Sequence, residues 1–191
     1  MEIPVYLNFL HRLEVLKRNT RHAWAVDGRR ESVAEHSWRL GVMALLCRDE
    51  FPELDMHKVL EMCLIHDWGE AVTGDIPAFW KTEADEADES LALRGLLMEL
   101  PEARRAELQA LFDEMEAMES GEARLFKALD NLEAVLTHNE GPLESWLPLE
   151  HEENLVYGQR NCAAFPWTAA LREALRQESL EKLRREGGGA Q

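Results

Sequence analysis

Basic residues are scarce in this sequence relative to acidic ones. Its 191 residues include 21 lysines and arginines against 37 aspartates and glutamates, which gives a formal net charge of −16. Nucleic-acid backbones and anionic membranes attract proteins through positive surfaces, so neither is an expected partner. An anionic substrate would need a metal ion or a few local arginines to overcome this negative field.

The sequence also lacks a long apolar run, a secretory leader and paired cysteines. No stretch approaches the ~20 consecutive apolar residues of a membrane span. Residues 1–13 have neither the basic start nor the small-residue cleavage site of a leader. Cys47, Cys63 and Cys162 lie far apart and form no CxxC pair. We expect a cytoplasmic protein whose cysteines are buried and reduced.

Alternation of apolar and polar residues, which would indicate strands, is likewise absent. Apolar residues recur instead at intervals of three and four. This pattern predicts an all-α fold, a single-domain helical bundle over residues 1–185 with about six or seven helices, and a disordered tail at 186–191. A loop is predicted at 139–150 from its glycine and proline. The predicted helices are 3–17, 32–49, 54–72, 83–98, 102–118, 122–138 and 168–185.

Polar side chains occupy inward-facing positions on three of the predicted helices. The motif 32-SVAE-35 is a capping box that begins one helix and directs His36 to its apolar face. His66 and Asp67 follow an almost unbroken apolar segment, and Asp130 lies among apolar residues. Uncompensated burial of a polar group costs roughly 2–7 kcal/mol. Two imidazoles and two carboxylates can hold one metal ion, although a core histidine or a buried His–Asp pair explains each residue alone.

The order H…HD…D of these residues is similar to the signature of the HD-domain metal-dependent phosphohydrolases. The segment 66-HDWGEAVTGDIP-77 also resembles the HDxxExxxGD motif of the bacterial HD-domain 5'-deoxynucleotidases and their eukaryotic relatives, the HD domain-containing protein 2 group. The segments 16-LKRNTRHAW-24, 32-SVAEHS-37 and 127-KALDNLEA-134 resemble the same group. The resemblance runs from about residue 6 to residue 138 and implies a bundle of the HD-domain type, a phosphomonoesterase and a homodimer.

The resemblance also implies roles for individual residues. The four protein ligands of one divalent metal ion would be His36, His66, Asp67 and Asp130. Two imidazoles favour a transition metal such as cobalt, manganese, nickel or zinc, with magnesium possible. In the family, the glutamate that matches Glu70 orients or deprotonates the attacking water. The aspartate that matches Asp75 contacts the sugar hydroxyl or the water network.

Substrate contacts are implied for basic residues. Arg21 matches the substrate-binding arginine of the bacterial branch, and Arg18 is a second candidate under a different alignment of the loop. Lys127 stands one turn before Asp130 and either meets phosphate or lies at the surface. The chain departs from the bacterial branch at His22, where that branch has tryptophan, so selectivity for 2'-deoxy substrates is left open.

We therefore expect an enzyme that hydrolyses (2'-deoxy)nucleoside 5'-monophosphates, which are small-molecule substrates, to nucleoside and phosphate. One alternative is an HD hydrolase of a nucleoside triphosphate or cyclic nucleotide, although no glycine-rich phosphate loop is present. Another is a non-catalytic, metal-stabilised scaffold, which would not need Glu70 or Asp75. The apolar segments 146–149 and 165–167 suit either a dimer interface or the core.

Overall fold

Helices make up most of the chain in this computed structural model, which describes residues 1–187. Seven of its helices have ten or more residues, which confirms the predicted helical bundle. The last helix includes residues 186 and 187, which were predicted to belong to a disordered tail, and 188–191 lie outside the described residues. The helices are α1 Ile3–Leu13, α2 Val33–Cys47, α3 Met56–Ile65, α4 Glu70–Thr73, α5 Glu83–Leu97, α6 Glu102–Ala117, α7 Gly121–Glu140, α8 Glu150–Val156, α9 Gln159–Cys162 and α10 Pro166–Gly187.

Capping residues begin the helices on which the polar residues converge. Ser32 Oγ accepts a hydrogen bond from Glu35 N, and Glu35 Oε2 accepts one from Ser32 N over 2.9 Å, so the capping box is confirmed. Asp55 caps α3 and Ser120 caps α7 through their side-chain oxygens. A fixed first turn sets which residues of each helix face the core.

The core is arranged around α7, against which α2, α3, α6, α9 and α10 all pack. Leu125, Leu129 and Leu132 of α7 have no exposed surface, and neither do Leu40 of α2 and Met62 of α3. Their spacing of three and four residues is that of an inward helix face. Burial of each such side chain stabilises the fold by about 1.5–3 kcal/mol. Polar residues on the same faces are thereby brought together.

A β-hairpin lies between α1 and α2, where no strand was predicted. Strands β1 Thr20–Trp24 and β2 Arg30–Ser32 pair antiparallel, with Thr20 opposite Ser32. Gly28 in the connecting turn has a φ of 81°, a conformation that glycine adopts without steric cost. Strands of five and three residues are too short for periodicity to reveal them. The fold is therefore mostly α, with β1 packed beside α7.

The third predicted helix is two helices separated by a turn. After α3 the backbone hydrogen bonds span three residues instead of four. Trp68 N donates to Ile65 O and Glu70 N donates to Asp67 O, both over 3.0 Å. Such i→i−3 bonds tighten the chain at helix ends. His66 and Asp67 consequently lie in the turn between α3 and α4, rather than on a continuous helix.

The predicted loop at 139–150 agrees with the structure, in which α7 ends at Glu140 and α8 begins at Glu150, and α8 and α9 then form where no helix was predicted. Trp146 is 6% exposed, and its Nε1–H donates to a backbone carbonyl of α7 over 2.9 Å. Phe165 and Trp167 pack edge-on against Phe51. The two tryptophan-bearing segments that suited either an interface or the core therefore pack within this chain.

Two further features concern the expected environment of the protein. Cys47, Cys63 and Cys162 are buried and free, which confirms the prediction for the thiols. Within residues 1–187, no helix combines the length and the apolarity that a membrane crossing requires.

Candidate active site

Four side chains from α2, the α3–α4 turn and α7 converge inside the bundle, and we call them the ligand cluster: His36, His66, Asp67 and Asp130. His36 Nε2 lies 3.2 Å from His66 Nε2 and 3.2 Å from Asp130 Oδ1. His66 Nε2 lies 2.9 Å from Asp67 Oδ2. His36 is fully buried, and the other three side chains are at most 17% exposed. The structure thus brings together all four residues that the resemblance implied as ligands.

The hydrogen bonds behind the two imidazoles fix how each ring is protonated. His66 Nδ1 lies 3.0 Å from Cys63 O, and His36 Nδ1 makes a short hydrogen bond with Glu133 Oε2. A carbonyl or carboxylate oxygen only accepts, so each Nδ1 carries hydrogen and each neutral ring presents an Nε2 lone pair to the other. Facing lone pairs beside two carboxylates require a cation or a proton between them. Imidazole nitrogens with carboxylate oxygens fit a divalent transition-metal ion.

The pKa values of these groups also indicate that the cluster requires positive charge. Burial opposes the ionisation of Asp67, but His66 outweighs it and lowers the pKa of Asp67 to about 2. Burial likewise opposes a charged His36, yet Glu133 and Asp130 raise its pKa to about 10. Without a metal ion the cluster therefore retains a proton, which a divalent cation would displace.

Glu133, which sequence analysis did not identify, has no exposed surface and lies directly behind His36. Its carboxylate also accepts hydrogen bonds from Arg21 Nη1 over 3.2 Å and from Thr137 Oγ1 over 2.8 Å. Burial opposes its ionisation, but His36 and Arg21 lower the pKa of Glu133 to about 2. The available sequence signal was a second carboxylate three residues after Asp130, on the same helix face. Glu133 orients His36 as a positioning residue.

Arg21 joins the ligand cluster to the hairpin. Its Nη1 lies 2.9 Å from Glu31 Oε2, and Glu31, also missed from the sequence, is buried on β2. Burial disfavours a charged guanidinium, but Glu133 and Glu31 keep the pKa of Arg21 above its ordinary value. Glu31, His36 and Glu133 offer ligand atoms within 4.8 Å of one another. Because Arg21 already supplies positive charge to both carboxylates, this trio needs no second metal ion.

Glu70 and Asp75 lie on the α4 side of the ligand cluster. Glu70 is 5% exposed, and its Oε2 accepts no hydrogen bond from the described residues. Burial, Asp67 and Asp75 raise the pKa of Glu70 to about 10, and burial also raises that of Asp75. A cation in the cluster would act in the opposite direction, so Glu70 has the environment of a group that exchanges a proton.

A cavity of about 300 Å³ is lined by both Arg21 and Asp75. Its wall also contains His22 of β1, Phe79 from the segment after α4, and His138 of α7. This volume is at the lower end for small-molecule sites. The lining also contains the carboxylates of Asp75, Glu150 and Glu153, so Arg21 is the group in it that can attract a phosphate.

The other two basic residues considered for substrate binding lie elsewhere. Arg18 exposes 68% of its side chain, pairs with Glu14, the residue after α1, over 3.3 Å and does not line the cavity. Of the two arginines, Arg21 lies at the cavity and Arg18 does not. Lys127 Nζ lies 2.8 Å from Asp130 Oδ2 and also does not line the cavity. Burial opposes ionisation of Asp130, but Lys127 and the imidazoles hold its pKa well below the usual range.

Comparison with known proteins adds to this geometry. The profile of the HD domain family matches residues 13–165, which include all the side chains of the ligand cluster. The human and bovine 5'-deoxynucleotidases HDDC2 are 36% and 35% identical to this chain over 139 and 138 residues. Those stretches are 70% of this chain and 67% and 66% of the two relatives, so the chain spans about two thirds of their length.

A solved structure extends the similarity over nearly the whole chain. It is the crystal structure of a predicted metal-dependent phosphohydrolase from Magnetospirillum magnetotacticum, which is 30% identical and superposes with a TM-score of 0.80. The superposition covers 94% of this chain and 93% of that protein. The helical arrangement described above is thus shared with that protein.

Proposed function

This chain belongs to the HD domain family, and on that basis we propose that it hydrolyses nucleoside 5'-monophosphates, 2'-deoxy ones included, to nucleoside and phosphate. The observation that carries the proposal is the pair of Nε2 atoms 3.2 Å apart, set between two carboxylates and close to an arginine that lines a cavity. The bovine and human relatives are named as 5'-deoxynucleotidases, which supports the substrate class.

The ligand cluster is proposed to hold one divalent cation. Such an ion lowers the pKa of water and neutralises phosphate oxygens as charge develops on them. Its two imidazoles favour cobalt, manganese, nickel or zinc over magnesium. Lys127 would neutralise part of the charge of Asp130 from outside the cluster.

Glu70 is proposed to accept a proton from the attacking water at its unpartnered Oε2. The water oxygen forms a bond to phosphorus, and the bond between phosphorus and the 5' oxygen breaks. The nucleoside leaves with a proton on that oxygen, so the proton that Glu70 accepted is returned to the products. Asp75, in the cavity wall, is proposed to contact the sugar hydroxyl.

Arg21 is proposed to bind the phosphate end of the substrate. Its planar guanidinium can share its donors between the carboxylates of Glu31 and Glu133 and a phosphate oxygen. His22, the next residue, places an imidazole in the cavity wall at the position where the bacterial branch has an indole.

The test is phosphate release by the purified protein, stripped of metal and reloaded in turn with manganese, cobalt, zinc and magnesium. The substrates are 5'-deoxynucleotides, 5'-ribonucleotides, a 3'-nucleotide, a cyclic nucleotide and a deoxynucleoside triphosphate. We expect metal-dependent release from the 5'-monophosphates and none from the 3'-nucleotide. Release of tripolyphosphate from the triphosphate, or hydrolysis of the cyclic nucleotide, would show that the substrate is another phosphoester. No turnover, with a metal whose removal unfolds the chain, would indicate a scaffold.

A homodimer and a cytoplasmic location are also part of the proposal. Exposed apolar side chains on α1 offer a surface for a second copy: Ile3, Tyr6, Leu7 and Leu10. Sedimentation at the concentration used for the assay tests the dimer, and a monomer there would contradict it.

A further inference from the structure

One wall of the cavity has no part in the proposed phosphate chemistry. It is formed by Glu150 and Asn154 on successive turns of α8, together with His22 of β1 and His138 of α7, and we call these four residues the α8 wall. All four line the same cavity as Arg21.

Hydrogen bonds hold most of the α8 wall in place. Glu150 Oε1 lies 3.1 Å from His138 Nε2, and Glu150 Oε2 lies 3.3 Å from His22 Nε2. The backbone N–H of Leu147 donates to Glu150 Oε2 over 2.6 Å. The Glu150 carboxylate therefore contacts β1, α7 and the segment just before α8. These parts of the wall are already fixed, so ligand binding need not order them.

Asn154 differs from its neighbours because one of its polar groups has no hydrogen-bond partner within residues 1–187. The residue is 6% exposed, and its Nδ2 donates no hydrogen bond to any of the described residues. Its backbone carbonyl is engaged, since it accepts from Arg172 Nη2 over 2.8 Å. A buried donor left unpaired destabilises the structure, so pairing it with an acceptor is favourable. In this conformation Nδ2 is covered by protein atoms, and rotation of the amide about χ2, a soft torsion in asparagine, turns the donor toward the cavity that the residue lines.

The position of the α8 wall relative to the ligand cluster indicates which part of a ligand reaches it. Ala134 and His138 both line the cavity, four and eight residues after Asp130 on α7. At ~1.5 Å per residue they lie ~6 and ~12 Å further along the helix. A phosphate at the cluster therefore leaves the far end of a nucleotide beside His138.

The rest of the cavity surface near this end suits a flat ring. Phe79 lines it beside His22, with ring centroids 5.7 Å apart, and Pro77 and Ala78 add apolar surface. Aromatic side chains stack on nucleobases of any type, whereas hydrogen-bonding groups distinguish them by their edges.

We propose that the α8 wall is a nucleobase subsite in which Asn154 Nδ2 donates a hydrogen bond to a ring nitrogen or carbonyl oxygen of the base. Glu150 supports the subsite by fixing His22 and His138. The inference rests on the proposed nucleotide substrate, and it assigns to this wall the recognition of the base rather than of the sugar or phosphate.

The experiment compares substrates with and without a base in wild type and Asn154→Leu, a change of similar shape that removes the donor. We expect kcat/KM for the preferred 5'-deoxynucleotide to fall about tenfold, which equals about 1.4 kcal/mol. The value for 2-deoxyribose 5-phosphate should stay unchanged, because it has no base to contact Asn154. Asn154→Asp, which keeps the shape but replaces the donor with an acceptor, should give the same pattern.

Glu152→Gln is the matched control, since Glu152 lies on the exposed side of α8 and should alter neither substrate. Equal loss for nucleotide and sugar phosphate, or no loss for either, would overturn the subsite. Titration with phosphate-free deoxynucleosides separates this inference from the proposed function. Weaker nucleoside binding by Asn154→Leu in a protein that releases no phosphate would keep the subsite and discard the phosphatase. Unaltered binding would discard the subsite.

Discussion

The ligand cluster and the α8 wall face neighbouring parts of one site, but they are built from different kinds of structure. Long helices and one tight turn hold the cluster, and Glu133 and Cys63 O fix its imidazoles from behind. The α8 wall comes from a helix of seven residues, a strand and the end of α7. Hydrogen bonds to one carboxylate, that of Glu150, connect these three elements.

This difference separates two functions that a single site must combine. Chemistry at phosphorus requires ligands held within a narrow geometry, which packed helices supply. Recognition of the remainder of a substrate tolerates variation, and loops and short helices are where it commonly occurs. We therefore expect changes in the cluster to reduce turnover of every substrate, and changes in the α8 wall to alter the choice among substrates.

Glu70→Gln should give the largest effect. The change removes the proposed proton acceptor but no member of the ligand cluster, so kcat should fall about 10²–10⁴-fold while metal content is retained. Steady-state kinetics and elemental analysis on the same preparation measure both. Asp130→Asn is the contrasting variant, in which metal content itself should fall. Full activity in Glu70→Gln would contradict the assigned role.

Glu133→Gln should weaken metal binding by about 10–100-fold, because the amide keeps the shape but not the charge that orients His36. Competition with a chelator of known affinity measures this directly, without an activity assay. Glu140→Gln is the matched control on the same helix, since Glu140 pairs with Arg39 near the surface. Equal metal affinity in the wild type and Glu133→Gln would show that the cluster does not depend on its backing carboxylate.

Arg21→Lys and Arg18→Lys form a pair that tests the connection between the two regions. Lysine keeps the charge but lacks the planar fork, so Arg21→Lys should raise KM about tenfold through the loss of charged hydrogen bonds. Arg18→Lys should leave KM unchanged, because Arg18 lies outside the cavity. A raised KM for Arg18→Lys with an unchanged KM for Arg21→Lys would instead place the substrate beside Arg18.

The smallest effect is expected in the pH dependence of stability at the α8 wall. Burial opposes ionisation of Glu150, but His138 and the Leu147 N–H lower its pKa below the ordinary value of a glutamate. A carboxyl with a lowered pKa in the folded state stabilises the protein above its unfolded pKa, and this contribution disappears as the pH falls through the folded pKa. The difference in unfolding free energy between the wild type and Glu150→Gln should therefore shrink on acidification from pH 6. Urea midpoints at several pH values measure it, and a constant difference would contradict the stabilisation of the Glu150 carboxylate by its hydrogen bonds.

Local sequence determined the parts of this site that depend on neighbours within a helical turn or two. The 3.6-residue period placed His36 and Asp130 on inward faces, and the capping box at Ser32 fixed the start of α2. The adjacent His66 and Asp67 were visible as a motif, although the turn that holds them was not. Periodicity proposed that these side chains meet, and the resemblance supplied their roles.

Tertiary structure alone decided the contacts between distant segments. Glu133 meets His36 across 97 residues, and Glu150 meets His22 across 128. Neither pairing leaves a local pattern, because it depends on how helices and the hairpin pack around α7. Tertiary structure also separated Arg21 from Arg18, because Arg21, on β1, lines the cavity and Arg18 does not. Sequence periodicity reports which face of an element is buried, whereas the partner on the other side is set by packing of the whole chain.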